Sequence, residues 1–348
     1  TLVSALCLPF LGRLVDLIPA HRMIALVMPV LAGDTLMAGY ASSVTVLVIA
    51  IFLLRLFGQG MMTHIALTAT GRWFVVERGR AISLVVLGHQ GGEATIPLVF
   101  ATIAIAYGYQ TGWLVGAAAL LLIGLPFAFW AYQQAREPHA RDSKLVKSSR
   151  YVRSWTRREV MGDPIFWVLL TGVLAPPFIG TTIFYHQNYM TALHDWPPQL
   201  FALSLLVMSL TTVGCALMTG ALVDRFGTPA ILPYSLLPLS LSCFALAFSG
   251  PPATLFVVMI LLGISYGISA TLFGSLWPEI YGTAYLGSVR AVTVSAGVFA
   301  TAAGPGLTGT LIDRGIELPT QMIYLGGYCL LAAAALSMAS MTLRRRFA

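Results

Sequence analysis

Long apolar runs alternate with short polar connections along the whole chain. Ten runs hold about 20 residues each, enough for a helix to cross roughly 30 Å of hydrocarbon, and a shorter apolar stretch, Thr1 to Leu11, precedes them. Strands of a β-barrel are about half that length and alternate apolar with polar residues, which these runs do not. The pattern predicts an all-α membrane protein with spans at residues 22–41, 46–70, 81–106, 112–134, 164–190, 199–222, 230–250, 254–276, 290–312 and 320–342.

The composition agrees with a surface that faces lipid. Hydrophobic residues make up 57% of the chain and charged residues 9%, whereas a soluble domain carries about 25% charged residues because its surface faces water. Thr1 lies inside an apolar stretch, with no methionine or signal-like segment before it. We therefore expect this sequence to lack one N-terminal helix and part of the next.

Basic residues are concentrated in alternate connections. The net charge is +7, and eighteen of the 20 basic residues fall on one predicted side, eight of them between Arg136 and Arg158. The positive-inside rule makes that side cytoplasmic. We predict a multi-pass protein of the cell inner (plasma) membrane whose central loop and C-terminus are cytoplasmic. The basic loop is interpreted as an orienting segment near anionic membrane lipid, so no nucleic-acid partner is expected.

A polar segment, Gln133 to Asp163, divides the apolar runs into two sets. Counting the partial helix and one absent helix, each set holds six spans. We predict an incomplete N-terminal helix bundle at residues 1–133, a cytoplasmic linker at 134–163 and a C-terminal helix bundle at 164–348.

The two sets also repeat in sequence. Gly12-Arg13-Leu14-Val15-Asp16 reappears as Gly220-Ala221-Leu222-Val223-Asp224, 208 positions later, and Trp73 reappears as Trp277 after 204 positions. Near-constant offsets across separate motifs indicate a duplication. Parallel repeats related about the membrane normal are typical of one large class of secondary transporters.

The repeated loop resembles the motif G-x-x-x-D-R-x-G-R-[KR] of the major facilitator superfamily. The first copy keeps Gly12 and Asp16, and the second keeps Gly220, Asp224 and Arg225. The resemblance implies the major facilitator fold, two pseudo-symmetric six-helix bundles with the first helix absent here and the second partial. It also implies that these residues latch the cytoplasmic gate. Glycine allows close helix approach, and an aspartate at a helix end accepts backbone N–H bonds or pairs with arginine. The alternative is a plain solvated turn.

Arg55-Leu56-Phe57-Gly58-Gln59-Gly60 resembles the family's fourth-helix motif, R-x-x-x-G with a nearby glutamine. An arginine within a span seldom faces lipid, and Gln59 lies one turn away on the same face. The resemblance implies that this face lines the central cavity, where Arg55 holds an anionic substrate or influences a proton carrier. The alternative is a structural salt bridge with Asp34, which lies at nearly equal depth on the neighbouring helix.

Glu93 lies at mid-bilayer depth in the next helix, with His89 one turn before it on the same face. The helix is weakened there by three glycines, at 88, 91 and 92, and by Pro97, as is common in transporter sites. We predict a proton-binding or gating carboxylate, and we expect Arg55 to reach Glu93 in competition with Asp34. The alternative is a protonated glutamic acid hydrogen-bonded between helices.

Tyr185 and His186 lie in Phe184-Tyr185-His186-Gln187-Asn188-Tyr189, near the outer end of a helix. This cluster looks like that of bacterial relatives of the monocarboxylate porters, and the resemblance places both residues in the substrate pathway. The alternative is an interfacial aromatic belt with a solvated histidine.

Taken together, these features predict a proton-coupled secondary active transporter that moves a small organic solute, with a carboxylate as one candidate, by alternating access. A drug/proton antiporter and a non-transporting membrane receptor of the same fold are the alternatives. The chain has no phosphate-binding Gly-Lys-Ser/Thr loop and no H-E-x-x-H motif, and its four cysteines have no metal-ligand spacing. We therefore expect no enzyme activity, no cofactor and no metal site, and we expect a monomer whose partners are the solute, protons and lipid.

Overall fold

A computed structural model describes residues 1–75, 77–133 and 153–347. These residues form helices joined by short connections, and no strand occurs among them. The expected all-α class is therefore confirmed. Most of the predicted linker, residues 134–152, lies outside the described residues, and the remainder of it contains one short helix, Arg157–Gly162.

The helices before the linker begin and end as follows: α1 (Leu2–Leu11), α2 (Leu14–Leu17), α3 (Ala20–Gly39), α4 (Val44–Leu53), α5 (Thr63–Trp73), α6 (Arg78–Tyr107), α7 (Tyr109–Ala119) and α8 (Leu125–Gln133). A π-helical segment, Leu54–Met62, joins α4 to α5, and another, Leu120–Gly124, joins α7 to α8. Each pair is thus one continuous helix with a wider turn in the middle.

The helices from residue 157 onward are α9 (Arg157–Gly162), α10 (Pro164–Tyr185), α11 (Gln187–Leu193), α12 (Pro198–Phe226), α13 (Thr228–Ile231), α14 (Leu237–Ala247), α15 (Ala253–Tyr281), α16 (Leu286–Asp313) and α17 (Leu318–Phe347). A short 3₁₀ turn, Leu232–Tyr234, joins α13 to α14.

Nine helical segments in the described part of the chain are long and apolar enough to cross a membrane. They include nine of the ten full spans predicted from the sequence, so the multi-pass expectation is confirmed. The tenth, residues 81–106, lies within α6, a helix of 30 residues. Helix α6 is not among the nine because His89, Gln90 and Glu93 lower its mean hydropathy.

The chain forms two compact units that are not contiguous in sequence. The first unit comprises Thr1–Val75, Gly91–Arg157 and Gly282–Val298, and the second comprises Val76–Gln90, Arg158–Tyr281 and Phe299–Ala348. Helices α6 and α16 are each divided, α6 after Gln90 and α16 after Val298. The division into bundles at residues 1–133 and 164–348 remains a prediction.

The core of the first unit packs α1 and α3 against the continuous helix α4–α5. The Leu8 side chain lies against Gly60, where an added Cβ would meet Leu8 Cδ2 at 2.7 Å. The Ser4 hydroxyl donates to the Phe52 carbonyl at 3.0 Å. Because glycine lets two helices approach closely, α1 is fixed along its length, and the loop that follows it is positioned as well.

In the second unit, α12 and α15 pack with their backbones in close approach. A Cβ added at Gly263 would lie 2.6 Å from the Met208 carbonyl oxygen, and one added at Gly267 would lie 2.5 Å from the Thr212 carbonyl oxygen. Both glycines are required for this contact, because no larger residue fits. The packing sets the position of the C-terminal end of α12, where Asp224 lies.

Candidate functional site

Asp16 binds the N-terminus of α16, within the first unit. Its Oδ1 accepts a hydrogen bond from the Gly287 amide at 2.7 Å, and its Oδ2 accepts from the Ser288 amide at 2.6 Å and from the Ser288 hydroxyl at 2.5 Å. Gly287 and Ser288 are the second and third residues of α16. The first amides of a helix lack partners within it and carry a partial positive charge. The Asp16 carboxylate accepts hydrogen bonds from two of these amides, and its negative charge is attracted to the partial positive charge of the helix N-terminus.

Arg72 completes this contact from the end of α5. Its Nη2 donates to Asp16 Oδ1, its Nη1 donates to the Val15 carbonyl at 3.0 Å, and its Nε donates to the Thr283 carbonyl at 3.3 Å. The guanidinium therefore joins the loop after α1 to the segment before α16. The Asp16 side chain is 8% exposed, so the pair is largely shielded from solvent.

Asp224 makes the corresponding contact in the second unit, at the N-terminus of α6. Its Oδ1 accepts from the Gly79 amide at 2.6 Å and its Oδ2 from the Arg80 amide at 3.1 Å. The Arg80 Nε lies 4.0 Å from Oδ2. Gly79 and Arg80 are the second and third residues of α6, so the geometry matches that of Asp16.

The two contacts are equivalent by residue number. Asp16 and Asp224 stand 208 positions apart, as do Gly79 and Gly287. Each aspartate therefore caps the helix that belongs to the other sequence half. The duplication inferred from the loop motif extends to the residues that this motif contacts.

The motif glycines allow these loops to approach the capped helices. A Cβ at Gly12 would lie 2.6 Å from the Ala291 Cβ, and one at Gly220 would lie 2.8 Å from both the Gly79 carbonyl oxygen and the Ser83 hydroxyl. Arg225, the fifth predicted gating residue, is exposed and lies over the Phe226 ring, 5.1 Å from its centroid.

Arg55 and Gln59 lie on the π-helical segment within the span Val44–Trp73. The Arg55 Nη1 donates to Gln59 Oε1 at 2.7 Å, and both side chains are exposed. Among the described residues, no carboxylate lies within 4 Å of the Arg55 guanidinium. Arg55 is thus held by a neutral amide and forms no salt bridge with Asp34 or Glu93 in this conformation.

Asp34 lies on α3, close to this segment but turned into the interior. A Cβ at Gly58 would lie 3.3 Å from Leu31 Cδ1, which shows that the two helices are adjacent. Asp34 is 5% exposed, and its Oδ2 has no hydrogen-bond partner in the described part of the protein. A buried carboxyl oxygen without a partner is costly, so another donor is expected to reach Asp34 in a different conformation.

His89 and Glu93 are both exposed on α6, one helical turn apart. At 1.5 Å per residue, Glu93 lies about 22 Å along the axis from Arg78, the first residue of α6. Glu93 thus lies near the middle of this 30-residue helix, and its mid-bilayer depth remains a prediction.

Tyr185 and His186 end α10 in the second unit. Tyr185 is 76% exposed. The His186 Nδ1 donates to the Thr182 carbonyl at 3.0 Å, and its Nε2 lies 3.7 Å from the position of a Cβ at Gly309. His186 is therefore beside α16, whereas Tyr185 points away from the unit.

The sequence matches one protein family over most of its length. The Major Facilitator Superfamily model matches residues 1–305. The chain belongs to the Major Facilitator Superfamily.

Comparisons with individual proteins agree with this membership. The chain is 27% identical over 267 residues to the oxalate:formate antiporter of Oxalobacter formigenes, a match that covers 74% of this chain and 60% of that protein. The chain thus matches less than two thirds of the length of this curated relative.

Solved structures of the superfamily share the fold. The human organic anion transporter MFSD10 matches with a TM-score of 0.73 at 14% identity, covering 96% of this chain and 81% of that one. The proton:xylose symporter XylE matches with a TM-score of 0.72 at 12% identity, covering 99% and 84%. The transporter FucP in its outward conformation matches with a TM-score of 0.70 at 12% identity, covering 98% and 87%.

The structure adds residues to this major facilitator site that the sequence did not predict. Arg72 and Ser288 bind Asp16, and Glu279 accepts a hydrogen bond from the Thr228 amide at 3.2 Å. Their signal in sequence is weak, because each is a common polar residue next to a helix end. His64 is fully buried and donates from Nε2 to the Gly12 carbonyl at 3.0 Å.

No group of three or more histidine, cysteine, aspartate or glutamate side chains is arranged to hold a metal ion in the ranges that the structure describes. The four cysteines all carry free thiols.

Proposed function

We propose that this protein is a secondary transporter for small organic anions, with carboxylates as the substrate class, and that Arg55 is the residue that binds the anion. The observation that carries the proposal is the pairing of Arg55 with the amide oxygen of Gln59. A charged guanidinium within a membrane span is costly unless it is paired or serves a function. A neutral amide orients the guanidinium without neutralising its charge.

The geometry leaves Arg55 able to bind a carboxylate. Arginine has five N–H donors, and one of them is used by Gln59. A carboxylate accepts two parallel hydrogen bonds from the remaining edge of a guanidinium, which is the strongest common mode of recognition for this anion. The π-helical segment around Arg55 supports this assignment, because such segments are frequent at functional sites.

The curated relative supports the same substrate class. The protein from Oxalobacter formigenes is named for oxalate and formate, which are both small carboxylates. One carboxylate on a single arginine suits a monocarboxylate or one end of a dicarboxylate.

We further propose that Glu93 couples transport to protons. Glu93 lies near the middle of α6, and its carboxyl group can take up and release a proton. In a second conformation Arg55 approaches Glu93, and protonation of Glu93 then releases Arg55 to Asp34 or to the substrate. Proton and anion binding are linked in this scheme through one cation.

Alternating access requires that the contacts of Asp16 and Asp224 form in one state and break in the other. Each contact joins a helical aspartate of one sequence half, Asp16 in α2 or Asp224 in the last turn of α12, to a helix N-terminus of the other half. A carboxylate at a helix N-terminus contributes about 0.3–1 kcal/mol at exposed sites and up to ~2 kcal/mol where it is partly buried. Contacts with a free energy of this magnitude stabilise one conformation and still allow it to convert to the other.

The test measures uptake of radiolabelled oxalate, formate and a panel of small carboxylates into proteoliposomes, with Arg55→Gln, Arg55→Lys and the control Arg314→Gln. Arg314 lies in the loop between α16 and α17, and its exposed side chain makes it a matched loss of one positive charge. We expect no uptake with Arg55→Gln. With Arg55→Lys we expect the half-saturation concentration to rise about tenfold or more, because one charge-assisted pair is worth about 1.5–3 kcal/mol.

Uptake by Arg55→Gln with the wild-type half-saturation concentration would refute the assignment. Export of a cationic drug without carboxylate uptake favours the drug/proton antiporter. Solute-dependent thermal stabilisation without any uptake favours a receptor of the same fold.

A further inference from the structure

An apolar cavity of about 330 Å³ lies within the second unit, between α10, α16 and α17. Its walls include Phe178 on α10, Phe299 and Ala303 on α16, and Leu325 and Tyr328 on α17. Phe299 and Tyr328 in its walls are 53% and 39% exposed, so the cavity is not enclosed. None of its lining residues belongs to the anion site proposed above.

Close contacts on both sides hold the cavity walls in place. A Cβ at Gly304 would lie 2.5 Å from the Phe178 carbonyl oxygen, so α16 and α10 touch directly beside the cavity. A Cβ at Gly172 would lie 2.7 Å from Leu336 Cδ1, so α10 and α17 touch as well. Because all three helices are already in contact around it, the cavity does not close by a small rearrangement.

The cavity lies at hydrocarbon depth in the membrane. At 1.5 Å per residue, Ala303 is about 15 Å from Asp313, the end of α16, and Tyr328 is about 15 Å from Leu318, the start of α17. These two helix ends are joined by a short loop, so both wall residues lie at one depth. A hydrocarbon layer of roughly 30 Å extends well beyond that level on both sides.

The chemistry of the lining excludes polar occupants. Tyr328 carries the polar side chain among the described residues that line the cavity, and its hydroxyl donates to the Thr171 carbonyl at 2.9 Å and is therefore satisfied. An apolar cavity without polar partners does not hold water. A carboxylate would lose its hydration there without gaining a donor.

The cavity shares the Tyr328 side chain with the face of α17 that is exposed along the span. Tyr324 is 71% exposed and Leu331 75%, and Tyr328 lies between them with 39% exposure. These residues follow each other at helical spacing, so they form one stripe. In a membrane this stripe faces the acyl chains of lipid, and the cavity opens beside it.

From this shared side chain, the depth and the lining, we propose that the cavity is a lipid subsite that takes an acyl chain of a membrane phospholipid. The chain enters beside Tyr328 and fills the space between Phe178 and Phe299. The bound chain replaces the packing contacts that an empty cavity would forfeit, and it stabilises the second unit.

The experiment uses the whole protein in vesicles that contain a phospholipid with a diazirine in the middle of one acyl chain. After illumination, the labelled residues are located by mass spectrometry. We expect labels on Phe178, Phe299 and Tyr328, together with labels on Leu331 from the open lipid face. Ala303→Phe, which fills the cavity, is expected to reduce the cavity labels at least fivefold and to leave the Leu331 label unchanged. Leu331→Phe is the matched control, and it leaves the cavity labels in place.

Labelling of Leu331 without labelling of Phe178 or Phe299 would overturn the proposal. Labelling of the cavity by a water-soluble diazirine carboxylate would overturn it as well, because the cavity would then belong to the transport pathway. A circular dichroism and thermal unfolding measurement on Ala303→Phe shows that the variant is folded. If that variant is unfolded, the presence or absence of labels on Phe178 and Phe299 in the wild-type protein decides whether the cavity holds an acyl chain.

Discussion

The Oδ1 atom of Asp16 accepts a hydrogen bond from the amide of Gly287 at 2.7 Å, although 271 residues separate them. The same relationship recurs between Asp224 and Gly79 at 2.6 Å. Two aspartates of one repeated loop thus bind two helices that begin at equivalent positions. The equivalence of the two contacts indicates that both aspartates have the same role.

Asp16→Asn is expected to lower the maximal rate of carboxylate exchange while changing the half-saturation concentration little. Asparagine removes the charge that interacts with the N-terminus of α16 and with Arg72, whereas the anion site around Arg55 is untouched. Asp224→Asn is expected to act in the same direction but more weakly, since Arg80 lies 4.0 Å from its carboxylate. Both constants are measured in proteoliposomes.

The control for this prediction is Asp195→Asn. Asp195 is exposed and has a φ of 51°, a conformation that asparagine tolerates as well as aspartate does. A normal maximal rate with a changed half-saturation concentration in Asp16→Asn would mean that Asp16 acts on binding and not on cycling.

Gln59→Leu is expected to raise the half-saturation concentration for carboxylates severalfold, because Arg55 loses the amide that orients its guanidinium. Gln59→Glu is expected to have the larger effect. A carboxylate one turn away from Arg55 neutralises the positive charge and competes with the substrate. Initial rates over a range of substrate concentrations separate the two variants. Equal behaviour of leucine and glutamate at this position would contradict a positioning role.

Glu93→Gln is expected to abolish pH-gradient-driven accumulation while sparing exchange, because glutamine resembles the protonated acid. Accumulation is measured with an imposed pH gradient, and exchange is measured with equal pH on both sides. Glu317→Gln, an exposed acid before α17, is the control. If Glu93→Gln accumulates solute with the wild-type pH dependence, Glu93 does not carry the proton and coupling lies elsewhere.

Gly91→Ala is expected to slow exchange, while Gly214→Ala is not. An added Cβ at either glycine meets no atom within 4 Å, so both variants are expected to fold and to gain up to about 1 kcal/mol of helix stability. Helix α6 carries glycines at 88, 91 and 92 near its middle, so we expect that a stiffer helix at residue 91 opposes any bending of α6 during transport. Gly214, in helix α12, is the matched control. Equal rates for both variants would show that α6 does not bend at this position.

Asp163→Asn is expected to lower the midpoint of thermal unfolding at neutral pH, through a loss of about 1.5–3 kcal/mol, the range for hydrogen bonds to a charged group. Asp163 lies just before α10, and its Oδ1 accepts a hydrogen bond from the Ile165 amide at 3.1 Å. Its Oδ2 accepts hydrogen bonds from Arg346 Nη1 at 2.9 Å and from the Tyr281 hydroxyl at 3.2 Å. Because Arg346 is partly exposed and solvent screens its charge, we expect a loss near the lower end of that range.

The pH dependence of this contact follows from its pKa. Burial by itself raises the pKa of Asp163, but the hydrogen bonds from Arg346 and Ile165 outweigh burial and lower the pKa below its ordinary value. A carboxyl whose pKa is lower in the folded state stabilises the fold at neutral pH. That contribution is lost as the pH falls below about 4 and through the lowered value. Unfolding midpoints of wild type and Asp163→Asn are therefore expected to differ at pH 7 and to converge at low pH, and a constant difference across pH would contradict this account.

The sequence by itself determined the membrane class, nine spans of the described chain and the internal repeat. A run of about 20 apolar residues specifies a membrane helix without reference to the rest of the chain, because its backbone hydrogen bonds are internal and its solvent is lipid. The repeated Gly and Asp residues were equally visible, because a duplication is a property of the residue order. The depths predicted for Arg55 and Glu93 rest on counting residues along a helix and remain predictions.

Only the tertiary structure decided which of these groups meet. Asp16 binds Gly287 because α1 and α16 pack together, and no local pattern encodes a contact across 271 residues. Asp34 and Arg55 lie on adjacent helices at similar depth, yet Asp34 is turned into the interior and Arg55 towards Gln59. Rotation of a helix about its axis depends on the packing of its neighbours, which small residues such as Gly12 and Gly60 set by allowing close approach. Depth in the membrane is therefore a local property of the sequence, whereas the direction of each polar side chain is a property of the packed bundle.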